Sequence, residues 1–294
     1  MLITKPGAYR ISEKDYHADN ICETPSLSRS VIKDLISGCP AKAWNNHPRL
    51  NPNYKAKEKD IFDLGHAAHA LLLEGLDKMA VIDADSWRKD STKESATEAR
   101  KNGKIPFLIE QAERISLMVI AAERQLVDSE LGIKNLREEG DSELSYVWNE
   151  HGIWMRVRPD WIRRDRLLCL DYKSTGTSAD PEEYNKIVAQ TGLDIQGAFY
   201  PRGVLAVEHP ANTQMFKPPE MVFMVQETYP PYLCTFIRLD PMFREMGEGK
   251  VHKGIAIWGD CLRNNRWPGY SNKIQTIDPK PWALASWEMK MQTT

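Results

Sequence analysis

The sequence predicts an α/β chain of the α+β kind: a central mixed sheet containing an antiparallel meander, flanked by helices. Three observations predict it. Apolar residues step by threes and fours from Leu108 to Leu126, the period of one helix face. The pattern then changes to three short strand-like runs, Leu144–Trp148, Ile153–Arg158 and Leu167–Lys173, joined by the polar turns Asn149–Gly152 and Arg163–Arg166. Helical patterning returns before two more strands, an order that wraps helices around one sheet. No Pro/Gly/Ser-rich linker divides the chain. It therefore reads as one domain over residues 1–294, with a helical or irregular lead-in at 1–60, a core at 61–240 and a C-terminal helix and tail at 241–294.

The elements follow in order. Serines at 26, 28 and 30 precede Val31-Ile32-Lys33-Asp34-Leu35-Ile36, an N-cap signal for a short helix that Cys39-Pro40 ends. Ile61, Leu64, Ala68, Leu71 and Gly75 form one stripe of a helix over Ile61 to Glu74, with His66 off the stripe. Residues Ser86 to Lys104 are charged and rich in Ser, Thr and Lys, and read as an exposed, mobile connection before the long helix. After the meander, Pro181 suits the first position of a helix running to Val207. Strands at Met221–Gln226 and Leu233–Leu239 flank Pro230-Pro231, and a last helix spans Pro241 to Asn264. Trp258, Trp267, Trp282 and Trp287 lie in the C-terminal part as candidate core or interface residues.

Composition excludes some classes. No apolar run approaches the ~20 residues a membrane helix needs, and the first residues lack a signal-peptide core, so a cytoplasmic protein is expected. The net charge of −2 disfavours nonspecific coating of nucleic acid but permits a local positive channel beside a carboxylate centre. Five cysteines without a CxxC pair argue against a structural zinc site and a disulfide framework.

The segment with chemistry in it runs from Glu143 to Lys173. Side chains alternate along a strand, so Asp171 and Lys173 point to the same side. Asp160, in Arg158-Pro159-Asp160, ends the preceding strand and approaches Asp171 across the hairpin. Two carboxylates there make a hard-oxygen site suited to Mg²⁺ or Mn²⁺. Phosphodiester hydrolysis needs such a Lewis acid, an oriented water and charge stabilisation, and Lys173 serves the last two. An Asp-x-Lys by itself is ordinarily a solvated face. Here Leu168 and Leu170 precede it on a strand that reads as buried, where an unpaired Asp is costly. Gln196 and Tyr200 lie one turn apart on the following helix and share a face.

These motifs resemble the RecB-like branch of the PD-(D/E)XK nuclease superfamily, and within it the RecE (exonuclease VIII) group of phage exonucleases. Leu27-Ser28-Arg29-Ser30, Cys39-Pro40-Ala41, Gly65-His66-Ala67-Ala68-His69, Glu143, Arg158-Pro159-Asp160, Asp171-Tyr172-Lys173-Ser174-Thr175 and Gln196 to Tyr200 carry the resemblance, with Gln226-Glu227 and Trp267-Pro268-Gly269-Tyr270 beyond them. It covers the chain from about Tyr16 to Trp282. It implies a restriction-endonuclease-like core; some related nucleases carry an iron–sulfur cluster on a C-terminal cysteine run, and with no such run here no cluster is expected. Asp160, Asp171 and the Tyr172 carbonyl are implied metal ligands, joined by His66; Gly65-x-x-x-His69 fits the histidine spacing too. Glu143 completes the site or acts through water, Lys173 positions or deprotonates the attacking water, and Gln196 and Tyr200 support the site or touch DNA. Arg29, Arg156 and Arg158 are candidate phosphate contacts. The implied activity is Mg²⁺- or Mn²⁺-dependent degradation of one strand of linear duplex DNA, 5′ to 3′, leaving a single-stranded overhang for phage-type recombination. The implied partners are duplex ends, a single-strand annealing protein of the RecT type, and further copies in a trimeric or tetrameric ring, within a bacterial host. A RecB-like endonuclease and a catalytically idle DNA-binding or assembly module are the alternatives.

Overall fold

The computed structural model describes residues 2–55 and 64–292. The beginning of the helix expected from Ile61 lies outside the described residues.

The lead-in forms β1 (Gly7–Tyr9) and three short helices, α1 (Glu13–Ala18), α2 (Arg29–Ser37) and α3 (Pro40–Asn45). Next come α4 (Leu64–Glu74), a 3₁₀ turn (Leu76–Lys78), β2 (Met79–Ile82), α5 (Asp90–Lys101), β3 (Ile105–Leu108), α6 (Ile109–Asp128) and α7 (Leu136–Glu139). The sheet region holds β4 (Gly140–Ser142), β5 (Ser145–Glu150), β6 (Ile153–Val157), β7 (Trp161–Arg163) and β8 (Leu168–Thr175). Helices α8 (Pro181–Thr191) and α9 (Leu193–Glu208) lead to β9 (Glu220–Glu227) and β10 (Cys234–Arg238), then α10 (Pro241–Asn264) and α11 (Pro281–Gln292).

The central sheet is mixed, in the order β10-β9-β8-β7-β4. β8 and β9 run parallel from Leu168↔Glu220 to Thr175↔Glu227, and the other pairs are antiparallel. Helices α8 and α9 make the crossover that a parallel pair requires. Both central strands are buried on both faces, as parallel strands between helical layers are. Leu168, Leu170, Tyr172, Val222 and Met224 join Leu71, Leu72, Ile115 and Met118 of α4 and α6 in one core. Cys169, Met221, Phe223 and Val225 join Ile32, Phe199, Val251 and Trp258 of α2, α9 and α10 in the other.

Three expectations change. The meander is split between two sheets: β5 and β6 pair with each other and with β1, whereas β8 pairs with the short β7. The free edge of β6 is taken by Leu27, whose N–H donates to the Trp154 carbonyl at 2.8 Å and whose carbonyl accepts from the Arg156 N–H at 2.9 Å. Pro159 has no N–H with which to continue the ladder. The stretch expected to be a mobile connection contains α5, which buries Thr92 and Ala96, an i,i+4 pair hidden among charges. The helix expected from Pro181 to Val207 breaks at Gly192, whose φ of 74° ends α8. Of the four C-terminal tryptophans, Trp258 is wholly buried and Trp267 packs edge-on against it at 5.2 Å. Trp282 and Trp287 on α11 are 74% and 58% exposed. No described helix is long and apolar enough to cross a membrane.

Gly203 lets α9 approach the β5–β6 sheet. A Cβ there would lie 2.6 Å from the Trp148 ring and 2.8 Å from Val157 Cγ2. Helix propensity alone favours Gly203→Ala by about 1 kcal/mol. Overpacking against a buried indole outweighs it, so the variant is expected to lose about 1–3 kcal/mol in urea denaturation. A stabilised variant would refute this account of the contact.

Candidate active site

The site lies at a cleft of about 820 Å³ whose lining includes His66, His69, Glu143, Arg158, Asp160, Tyr172, Lys173 and Tyr200. Its parts come from five places in the chain. α4 brings His69, the β4–β5 link brings Glu143, the β6–β7 link brings Asp160, β8 brings Asp171 and Lys173, and α9 brings Gln196 and Tyr200.

The two links are tied by their backbones. Glu143 adopts a φ of 56°, and its N–H donates to the Asp160 carbonyl at 3.0 Å. Asp160 Oδ2 accepts the Tyr172 N–H at 2.8 Å, which fixes its carboxylate over β8. His69 Nε2 is 3.1 Å from that same oxygen and 3.7 Å from Glu143 Oε1. Ligand atoms of His69, Glu143 and Asp160 all lie within 4.8 Å of one another. Asp171, 1% exposed, shares its face of β8 with Lys173. Its carboxylate contacts Lys173 Nζ and accepts from Gln196 Nε2.

The charges act on each other. Burial, and next the Asp160 carboxylate, push the Asp171 carboxyl up to about 6, despite Lys173 beside it. Burial also opposes ionisation of Asp160, but His69 and then Lys173 outweigh it and hold Asp160 below the usual carboxylate range. The His69 imidazole is raised: burial disfavours its cation, and the carboxylates of Asp160 and Glu143 more than offset that. Lys173 is likewise held as an ammonium against burial by Asp171 and Asp160. The Glu143 carboxyl is raised, chiefly by burial, with Arg158 pulling the other way. Two neighbouring carboxyls displaced in opposite directions occur at functional centres and in structural ion-pair networks alike.

His69 Nε2 is a buried atom with no aligned hydrogen bond, despite the nearby carboxylates. One imidazole nitrogen and two carboxylates suit a divalent ion of the Mn²⁺ or Mg²⁺ kind, the nitrogen favouring Mn²⁺.

Of the two histidines of α4 that the sequence allows, His69 rather than His66 stands against the carboxylates. His66 is exposed and lines the same cleft three residues earlier. Asp171 is turned toward Lys173 and Gln196, so the cluster at close range is His69, Glu143 and Asp160. The Tyr172 hydroxyl donates to Gln226 Oε1 at 2.6 Å, away from its amide contact with Asp160. Tyr200 lines the cleft, and burial raises its hydroxyl well above the usual tyrosine range. Arg29 donates to the Thr191 carbonyl at 2.7 Å. Arg156, a candidate phosphate contact by sequence, is 4% exposed, and its guanidinium is engaged by Asp19 and by the Ser26 carbonyl at 2.8 Å. A side chain so enclosed has no access to a backbone phosphate. Tyr16, Asp19 and His47 escaped the sequence reading, since nothing in their spacing marks them.

A mixed sheet with this carboxylate–lysine strand at its centre, backed by a histidine helix and a Gln-x-x-x-Tyr helix, defines a protein of the PD-(D/E)XK class. The chain belongs to the family described as "PDDEXK-like domain of unknown function (DUF3799)", which matches residues 28–280. It is similar in fold to the crystal structure of a candidate exonuclease from Eubacterium rectale, with a TM-score of 0.56 and 12% identity over 95% of this chain and 99% of that one. No curated protein matches it in sequence.

A group whose folded pKa is raised stabilises fully below its unfolded value, and that contribution is lost as pH rises through the folded value. For Asp171 the window runs from near 3.8 to about 6. In EDTA, Asp171→Asn is therefore expected to gain on the wild type as pH rises through that window, by on the order of 3 kcal/mol. Thermal melts across the range check this. Melting curves that stay parallel at every pH would contradict it.

Proposed function

We propose that the protein is a divalent-metal-dependent nuclease acting on DNA, and that it works as an exonuclease on linear duplex ends. The observation behind this reading is the convergence of His69, Glu143, Asp160 and Lys173 at one cleft, with the buried Asp171 against Lys173. The E. rectale structure, described as a candidate exonuclease, supports the end-directed reading.

His69, Glu143 and Asp160 would hold the ion, and Asp171 is the further carboxylate ligand we assign to it. A divalent ion there supplies Lewis acidity to the phosphate and lowers the pKa of a bound water. Lys173, held as an ammonium, orients the attacking water and balances charge developing on the phosphate oxygens. Gln196 keeps the Asp171 carboxylate in one orientation. The Tyr172 N–H does the same for Asp160. The Tyr172 carbonyl would be a further oxygen ligand.

The resemblance to the RecE group adds finer parts to this reading: 5′-to-3′ polarity, a single-stranded overhang, a RecT-type annealing partner, a phage or prophage setting in bacterial cytoplasm and a closed ring of three or four copies. Trp282 and Trp287, exposed on α11, suit an interface between copies, whereas Trp258 and Trp267 are committed to packing within the chain.

Incubation with Mn²⁺ or Mg²⁺ is expected to degrade end-labelled linear duplex, to spare covalently closed circles and to stop with EDTA. Asp160→Ala, Asp171→Ala, Lys173→Ala and His69→Ala should each reduce the single-turnover rate by roughly 10³-fold or more, because groups acting as a unit fail together. His66→Ala should have a much smaller effect. Rapid cutting of closed circles would replace the exonuclease with an endonuclease. Near-wild-type cleavage by Asp171→Ala and Lys173→Ala would remove this strand from the active centre.

A further inference from the structure

Glu143 belongs to the ligand cluster, yet it sits on a link between strands and its side chain is one-third exposed. A glutamate so placed has three side-chain torsions to restrain. Something must hold it, and the structure shows what does. Glu143 Oε1 faces His69, while Oε2 contacts Arg158 Nε.

Arg158 is itself fixed from the N-terminal side. Its side chain is 13% exposed. One terminal nitrogen donates to the Ile11 carbonyl at 3.3 Å, and the guanidinium carbon lies 5.5 Å from the centre of the Tyr16 ring. The same ring meets Arg156 at 5.3 Å, and Arg156 is locked to Asp19 and Ser26. A continuous brace therefore runs from the buried Asp19 through Arg156, Tyr16 and Arg158 to Glu143. Ile11, Tyr16, Asp19 and Ser26 all precede residue 28, where the family match begins.

We propose that Arg158 is a positioning residue for Glu143, and that the segment from Ile11 to Ser26 completes the metal centre by holding the Arg158 guanidinium in place. A planar guanidinium suits the role because its nitrogens reach carboxylate, carbonyl and ring face from one rigid fork. The arrangement commits Arg158 to Glu143, Ile11 and Tyr16 within the chain. Ligand-orienting partners of this kind ordinarily matter by about 10–100-fold in metal affinity or activity.

The proposal rests on the metal-dependent nuclease reading, and a double-mutant cycle separates the two. The full chain is prepared as wild type, Arg158→Met, Glu143→Gln and the double variant. Each is measured by calorimetric Mn²⁺ titration, single-turnover cleavage of linear duplex, duplex binding in Ca²⁺ and thermal melting. Arg158→Met is expected to weaken Mn²⁺ binding and slow cleavage by about tenfold or more, and to add nothing to Glu143→Gln. At saturating Ca²⁺, where the weakened site is filled, duplex affinity should stay within about twofold of wild type, since the contact removed is with Glu143. Should Arg158→Met not fold, Tyr16→Leu takes its place in the cycle, with an expected weakening of about threefold that again vanishes beside Glu143→Gln. Additive effects, an unchanged Mn²⁺ affinity, or a main loss in duplex binding would overturn the positioning role while leaving the nuclease reading intact. A wild type that neither binds Mn²⁺ nor cleaves would overturn both.

Discussion

Asp171 lies in the middle of a strand buried on both faces, and much of the architecture answers the cost of placing a carboxylate there. An isolated buried charge is expensive, and ordinary proteins avoid it or pair it. Here Lys173 is placed beside it by the two-residue repeat of the strand, and Gln196 is placed against it by the crossover helix. The parallel β8–β9 pair makes that crossover obligatory, so the topology that buries the carboxylate also delivers its hydrogen-bond donor. Burial and then the Asp160 charge raise the Asp171 carboxyl, so a cation bound there would displace its proton.

Asp160 shows the opposite solution. It sits in a link rather than a strand, accepts the Tyr172 N–H and faces His69, and remains ionised despite burial. Pro159 ends one sheet and frees the chain to begin another, so the break in the meander is what lets this carboxylate lie over β8 instead of continuing beside it. An unbroken three-stranded meander would direct the residue along the ladder.

A second ionic group, Asp19 with Arg156, Ser26 and His47, is more deeply enclosed than the cleft itself. Its members come from the lead-in, α3's C-terminal side and β6, and the Asp19 carboxylate is paired with the Arg156 guanidinium, the condition under which buried ions persist. The group ties the N-terminal segment to the strand that leads into Asp160. The lead-in is thereby part of the wall of the cleft, which Glu13, Tyr16 and His17 line together with the carboxylates.

The sequence by itself determined the mixed α/β class, the long helix carrying the Leu108-to-Leu126 stripe, strands near Met221–Gln226 and Leu233–Leu239, the helix from Pro241 to Asn264, and the shared strand face of Asp171 and Lys173. These rest on short-range periodicity: a two-residue repeat sets which side chains share a strand face, and a 3.6-residue repeat sets a helix stripe. The tertiary structure decided the rest. Both His66 and His69 satisfy a local spacing, and only the rotation of α4 against β8 brings His69 to the carboxylates. Arg156 and Arg158 look alike two positions apart, but one is enclosed by Asp19 and the other turns to Glu143 because residues more than a hundred positions earlier come to lie beside them. α5 hides its two buried contacts among charged neighbours, and the split of the meander depends on Leu27 claiming an edge of β6. Periodicity reports which face of an element is apolar. It carries no information on which distant charge will be waiting there, because that is settled by packing of elements far apart in the chain.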